Sequence, residues 1–113
     1  MAVSGHALRL TILVGEDDTW HHKPLHHEIV ERARAAGLAG ATVLRGCEGY
    51  GSSSLIHTDR LLSLAEDLPI IVIIIDTEPP IRAFLADIDE LLREATVLLD
   101  DVEILRHQQD HAS

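Results

Sequence analysis

Apolar and polar residues alternate along the first stretch of the chain, which is the pattern of a strand with one buried face. Leu8, Leu10, Ile12 and Val14 occupy every second position, and successive side chains of a strand point to opposite faces. The spacing changes after Pro24, a residue that suits the first turn of a helix. Apolar residues then recur at helical spacing before Gly37, a candidate C-cap: Leu25, Ile29, Val30 and Ala33. The pattern therefore predicts a strand followed by a helix.

The second half of the chain repeats this order. A second strand is predicted to begin at Ala41–Leu44, and the β-branched run Ile70–Ile75 predicts a central strand buried on both faces. Thr77 and the pair Pro79–Pro80 mark the start of a second helix. Its apolar stripe consists of Ile81, Phe84, Leu85, Ile88, Leu91 and Leu92. A last strand from Val97 to Ile104 precedes a polar tail, Arg106 to Ser113, that we expect to be frayed.

Elements in this order predict a single α+β domain over residues 1–113, a ferredoxin-like βαββαβ sandwich with its core at about 7–106. Two βαβ units with right-handed crossovers place both helices on one face of a four-stranded sheet. The other face is then bare, although Leu13 and the run Ile70–Ile75 supply apolar side chains to it. We therefore expect a closed homo-oligomer that covers this face.

Composition narrows the choice of partners. Nine Lys and Arg stand against nineteen Asp and Glu, a formal net charge of −10, and the chain has one Trp, one Tyr and one Phe. Nucleic acid binding needs clustered basic side chains and aromatic platforms, so we expect no nucleic acid partner. A lone Cys47 and the lack of a secretory signal pattern before the first strand favour the cytoplasm. The longest apolar run, Ile70–Ile75, is too short for membrane insertion.

A long polar segment separates the second strand from the third. Roughly twenty residues lie between Leu44 and Pro69, whereas a hairpin needs about two to five, so we expect the segment to bind something. Gly46, Gly49 and Gly51 near its start can expose backbone amides to an anion. They can equally provide the backbone freedom for a bulge where the strand leaves the sheet.

Other residues of this segment are weaker candidates. The hydroxyls of Ser52 and Ser53 can donate to an anion or be solvated, and Tyr50 can stack on a base or cover the base of the loop. His57 is the histidine that we consider for a ligand contact or a proton-linked switch. No acid, nucleophile or orienting partner accompanies it at a telling spacing, so we expect no enzymatic activity.

A second interpretation uses the histidines near the first helix. His21, His22, His26 and His27 follow the acidic loop Glu16–Asp18. Around a helix start near Pro24, His22 and His26 can face one ion together with a carboxylate such as Asp18. A solvated helix start without metal is the simpler interpretation, and any metal would belong to a subunit interface rather than to one chain.

Several short motifs resemble the PII-like signalling proteins grouped as domain of unknown function 190. They are Gly15-Glu16-Asp17-Asp18, Lys23-Pro24-Leu25, Gly40 to Gly46, Gly49-Tyr50-Gly51, Ile56-His57-Thr58 and Glu66 to Pro69. The resemblance runs from about Leu8 to Leu105. It implies a homotrimer of ferredoxin-like subunits whose polar segment is a mobile, partner-contacting loop. It also implies adenine nucleotide binding in clefts between subunits and docking to a transporter or an enzyme.

The resemblance also suggests site residues. Gly49 and Gly51 match the glycines at the loop base of PII proteins, where backbone amides approach a nucleotide, and Arg45 lies nearby. On the opposite wall, PII proteins carry a turn with glycines and a lysine, whereas Arg93-Glu94-Ala95-Thr96 has neither. A smaller or different ligand is therefore left open.

The leading hypothesis is a cytoplasmic PII-like regulatory homotrimer. It would bind a small anionic metabolite, with an adenine nucleotide expected, and signal through the 52–68 loop. Its predicted ligand residues are Arg45, Gly46, Gly49, Tyr50, Gly51, Ser52, Ser53 and His57. The alternative is a divalent-metal-binding trimer resembling cation-tolerance proteins, with Asp18, His22 and His26 as ligands.

Overall fold

The computed structural model describes residues 5–49 and 68–106. In these ranges the strands are β1 (Gly5–Gly15), β2 (Thr19–Trp20), β3 (Lys23–Pro24), β4 (Thr42–Arg45), β5 (Pro69–Asp76) and β6 (Thr96–Ile104). The helices are α1 (Leu25–Ala35) and α2 (Glu78–Asp87), and a 3-10 helix follows at Asp89–Leu92. The predicted tail beyond Arg106 lies outside the described residues.

The long strands form one antiparallel sheet in the order β4-β5-β1-β6. Strand β5 lies between β4 and β1, and β6 pairs with the other side of β1. With α1 between β1 and β4, and α2 between β5 and β6, this is the order of a ferredoxin-like sandwich. The predicted fold class is confirmed.

Both helices pack on one face of the sheet and form the core with it. On this face Leu10 lies between Ile74 and Leu99, and the next row places Ile12 beside Val72. Ile29 of α1 and Phe84 of α2 cover these rows, and almost none of their surface is exposed. Each such side chain contributes about 1.5–3 kcal/mol by leaving water, so the alternation read from the sequence is what fixes the sheet's buried face.

The end of α1 follows the predicted signal. Gly37 has φ +78°, its N–H donates to the carbonyl of Arg34, and the N–H of Leu38 donates to the carbonyl of Ala33. These two bonds define a Schellman motif, in which glycine tolerates the left-handed backbone. The predicted C-cap signal at Gly37 is therefore confirmed, with Gly37 just beyond Ala36.

The apolar stripe of the second helix extends past the helix itself. Helix α2 ends at Asp87, and Ile88 leads into the 3-10 helix that carries Leu91 and Leu92. Both Ile88 and Leu91 are nevertheless buried. The spacing predicted the correct buried residues but not the change in helical geometry.

A small hairpin precedes α1, where we predicted only a loop. Strands β2 and β3 pair through Trp20 and Lys23, and the turn residues His21 and His22 have φ of 49° and 71°. Two positive φ angles match a type I′ turn, which favours the right-handed twist of a hairpin. Pro24 therefore belongs to β3 and occupies the N-cap position of α1. Its predicted place in the first helical turn was wrong by one residue.

The second face of the sheet is open in the single chain. Leu44, Ile71 and Leu13 form one row across it, and Ile73 and Leu98 belong to the next. Leu44 is 48% exposed and Leu98 is 51% exposed. Strand β5 is central as predicted, but in the single chain only one of its faces is buried. We refer below to these five side chains as the open sheet face.

One ion pair also lies on this side of the sheet. The guanidinium of Arg9 donates to both carboxylate oxygens of Asp100, at 3.2 and 2.7 Å.

In the described residues, no helix is long and apolar enough to cross a membrane.

Candidate functional site

The predicted ligand residues that the structure describes gather where three strands meet. Arg45 is the last residue of β4, and the N–H of Gly46 donates to the carbonyl of Pro69 at 2.8 Å. On the other side of β5, the N–H of Glu16 donates to the carbonyl of Leu68, also at 2.8 Å. The chain thus leaves the sheet and returns to it at one place. We call these five residues the loop base.

Gly46 has a structural reason to be glycine. A Cβ atom at this position would lie 2.6 Å from Cγ of Pro69, closer than real contacts allow, and one at Gly49 would lie 3.2 Å from the same atom. The amide of Gly46 is already bonded to Pro69. Gly46 thus has a structural role through its close approach to Pro69 rather than through the positive φ of a bulge, while its contact with a ligand stays a prediction.

Arg45 is paired with an acidic residue that sequence reasoning did not assign to it. Its Nη2 lies 2.7 Å from Oε2 of Glu16, with side-chain exposures of 59% and 27%. We had interpreted Glu16 as part of a polar loop before the first helix. The signal that could have found the pair is the strand order, because β1 and β4 flank β5 and both end where β5 begins.

The remaining predicted ligand residues cannot be placed. Tyr50, Gly51, Ser52, Ser53 and His57 lie outside the described residues, so their roles stay predictions. Cys47, which follows Gly46, is an exposed free thiol.

Asp18 forms the turn that leads from β1 to the hairpin. Its carboxylate accepts a hydrogen bond from the N–H of Gly15 at 2.8 Å, and its carbonyl accepts one from the N–H of Leu25 at 2.8 Å. This second bond ties the turn to the first residue of α1. The position of Asp18 is therefore explained by local backbone bonding, without a metal.

The alternative metal site does not assemble within one chain. Among residues 5–49 and 68–106, no three His, Cys, Asp or Glu side chains are grouped so as to hold an ion, and this range includes Asp18, His22 and His26. His26 lies in the first turn of α1 as predicted, and its Nδ1 is buried without a hydrogen-bond partner there. A site shared between subunits stays a prediction.

The predicted opposite wall is separate from Arg45 in the single chain. Arg93 and Glu94 line an open cleft of about 400 Å³, together with Trp20, Asp17 and Glu90. Its lining does not include Arg45, Gly46 or Gly49. In the described residues of one chain, the loop base with its Arg45–Glu16 ion pair and the mostly acidic cleft beside the α2–β6 turn are therefore two separate places.

Comparison with known proteins identifies the family. Residues 7–104 match the DUF190 family, described as "Uncharacterized ACR, COG1993". A UPF0166 protein of Aquifex aeolicus (strain VF5) is 38% identical over 96 residues, which is 85% of this chain and 90% of that protein. A UPF0166 protein of Methanocaldococcus jannaschii is 26% identical over 98 residues, covering 86% and 90%.

Solved structures agree on the fold. CPII of Thiomonas intermedia K12, bound to ADP, AMP and acetate, has a TM-score of 0.66 at 16% identity and covers 92% of this chain and 93% of its own. The apo form of CPII, a nitrogen regulatory PII-like protein, has a TM-score of 0.60 at 15% identity, with 92% and 97% covered. By its sequence the chain belongs to the DUF190 family, and by its structure it has a PII-like, ferredoxin-like fold.

Proposed function

We propose that this protein is a PII-like regulatory protein. It forms a homotrimer, binds a small anionic metabolite in the clefts between subunits and signals through the 52–68 loop. An adenine nucleotide is the ligand that we expect, and two observations outside the site support it. The chain covers almost all of CPII, and CPII has been solved with ADP and AMP bound.

The position of Arg45 is the observation that carries the proposal. Its side chain lies at the loop base and is more than half exposed, so a ligand can reach it from solvent. Guanidinium groups bind phosphate oxygens through paired, charge-assisted hydrogen bonds. Because the polar segment begins a few residues later, an anion bound at Arg45 would lie beside the residues that we expect to signal.

The open sheet face supports the trimer. Leu44, Ile73 and Leu98 present aliphatic surface that a single chain leaves in water. Contiguous apolar surface of this kind marks interfaces in soluble proteins, and copies of this chain are the partners that the fold itself supplies. An assembly would also let the loop base of one subunit meet the acidic cleft beside Arg93 of another.

Signalling would follow from a shift between arrangements of the loop. A ligand changes such an equilibrium only by the difference between its affinities for the two arrangements. Residues 52–68 follow Gly46, Gly49 and Gly51 in the sequence, so ligand contacts at the loop base would favour one arrangement. A target transporter or enzyme in the cytoplasm would then distinguish the two, and the protein would act by docking rather than by catalysis.

Calorimetric titration tests the ligand. The protein, stripped of copurified ligand, is titrated with AMP, ADP and ATP, each with and without Mg²⁺. We expect saturable binding at one site per subunit, and weaker binding in Arg45→Ala. The matched control is Arg34→Ala, which removes an exposed guanidinium from α1. No binding of any nucleotide, or equal loss in both variants, would refute the proposed site.

Native mass spectrometry tests the assembly on the same sample. A trimer at micromolar concentration is the expected species, with nucleotide bound in multiples of up to three copies. A monomer or dimer under these conditions would contradict the trimer while leaving nucleotide binding to be judged from the titration.

A further inference from the structure

The ion pair between Glu16 and Arg45 suggests how the site is tuned. Resting on the proposed function, we infer that Glu16 is an internal competitor that occupies Arg45 in the ligand-free chain and must be displaced by the ligand's phosphate. Its carboxylate stands where a phosphate oxygen would bind, 2.7 Å from Nη2 of Arg45. Glu16 thereby sets the nucleotide concentration at which the site fills.

The backbone on both sides of the pair is fixed, so the exchange needs only side chains to move. Glu16 is held by its N–H bond to Leu68, and Arg45 is paired in the β4–β5 ladder with Ile70. The carboxylate therefore reaches over the start of β5 from a set position. A competitor held in this way stays within reach of Arg45, unlike a counter-ion from solution.

Arg45 is more exposed than Glu16, as an exchange of Glu16 for a phosphate requires. The side chain of Arg45 is 59% exposed and that of Glu16 is 27% exposed, so a ligand can approach Arg45 from solvent while the ion pair is formed. An arriving phosphate can form its first bond there before Glu16 leaves. Ion pairs between side chains that solvent reaches contribute little to stability, about 0.2–1 kcal/mol. This pair is therefore weak enough for a ligand to break.

A purely structural role for Glu16 predicts the opposite effect. If the carboxylate only orients Arg45 toward the ligand, its loss would weaken phosphate binding. If it competes, the free site is competent for only a fraction of the time, and the apparent dissociation constant rises by the inverse of that fraction. Neutralising Glu16 then strengthens binding by one common factor for every ligand that uses Arg45.

The test compares Glu16→Gln with Glu31→Gln, which removes the same charge from an exposed position of α1. Both proteins and the wild type are titrated with AMP, ADP and the uncharged nucleoside adenosine. We expect Glu16→Gln to bind AMP and ADP roughly two- to fivefold more tightly, as an exposed ion pair allows, with no gain for adenosine. Glu31→Gln should stay near the wild type.

The same substitution made in the Arg45→Ala variant shows whether Glu16 acts through Arg45. In Arg45→Ala, adding Glu16→Gln should give no gain and should not restore any lost binding. Wild-type or weaker ADP binding in Glu16→Gln, with an unchanged unfolding midpoint, would overturn the competitor role and leave the proposed function standing. No nucleotide binding by any of these proteins would overturn both.

Discussion

Gly46 and Pro69 approach so closely that a Cβ atom on Gly46 would lie 2.6 Å from Cγ of the proline ring. The N–H of Gly46 also donates to the carbonyl of Pro69, so the backbone cannot shift away without losing that bond. We expect Gly46→Ala to lower the free energy of unfolding by about 1–3 kcal/mol, the usual cost of overpacking. Thermal and urea unfolding measure it.

Two further variants make that prediction specific. Gly40→Ala is the matched control, because a Cβ atom there meets nothing within 4 Å. Pro69→Ala removes the ring, so Gly46→Ala should cost less in that background. If the loss is the same with and without the ring, the steric explanation is wrong.

Asp76, at the end of β5, forms hydrogen bonds with the connection between α1 and β4. Its buried carboxylate accepts hydrogen bonds from the N–H of Thr77 at 2.7 Å and from the N–H of Ala39 at 3.0 Å. Asp76→Asn keeps the shape but replaces one acceptor with a donor, so one amide loses its partner. We expect a loss of about 1–3 kcal/mol in unfolding free energy. Asp87→Asn, at an exposed position in α2, should leave stability within about 0.5 kcal/mol.

The β2–β3 hairpin carries avoidable backbone strain. His22 has φ 71°, a region that costs a residue with a side chain about 1–2 kcal/mol. Glycine at this position would remove the strain, but it loses more conformational entropy on folding than histidine does. We therefore expect His22→Gly to raise the free energy of unfolding by roughly 0.5–1 kcal/mol. His27→Gly, inside α1, should lower stability instead. A destabilised His22→Gly would show that the imidazole makes contacts worth more than the strain.

The open sheet face can be tested without disturbing the core. Leu98 is 51% exposed in the single chain. Leu98→Glu should therefore leave the fold intact but place a charge in an apolar interface between subunits. We expect a shift from trimer to monomer in light scattering after gel filtration, with the far-UV circular dichroism unchanged. Ala83→Glu adds the same charge to an exposed position of α2 and should remain trimeric. An assembly that survives Leu98→Glu would mean that other surfaces hold the subunits together.

The strands and helices were largely predictable, because their burial follows a simple period. Leu8 to Val14 alternate, and Ile81, Phe84 and Ile88 recur at helical spacing, so each element showed which side it buries. The hairpin was missed because its turn is His21-His22 rather than Asn-Gly, the pair that usually signals a type I′ turn. Burial on both faces of β5 was predicted from composition alone, and composition does not say whether the second face is covered by the same chain.

The candidate site was predictable only in part. The family resemblance suggested Arg45, and the glycines between the second strand and the polar segment suggested Gly46; the ligand role of both stays a prediction. The contact of Arg45 with Glu16 joins residues far apart in sequence, and it depends on where β1 and β4 end beside β5. A period in the sequence carries no information about such ends, whereas the register of the sheet does.

The hydrogen bonds at the loop base have a consequence for how this family can vary. They bring the chain back to the point where it left, so a change in the length of the intervening sequence changes the entropy of closing this ring. That entropy grows slowly, by about 0.6 kcal/mol for each doubling of ring length. We therefore expect residues inserted between Gly49 and Leu68 to cost the sheet little in ring-closure entropy, which makes this position a natural graft point for a new recognition sequence.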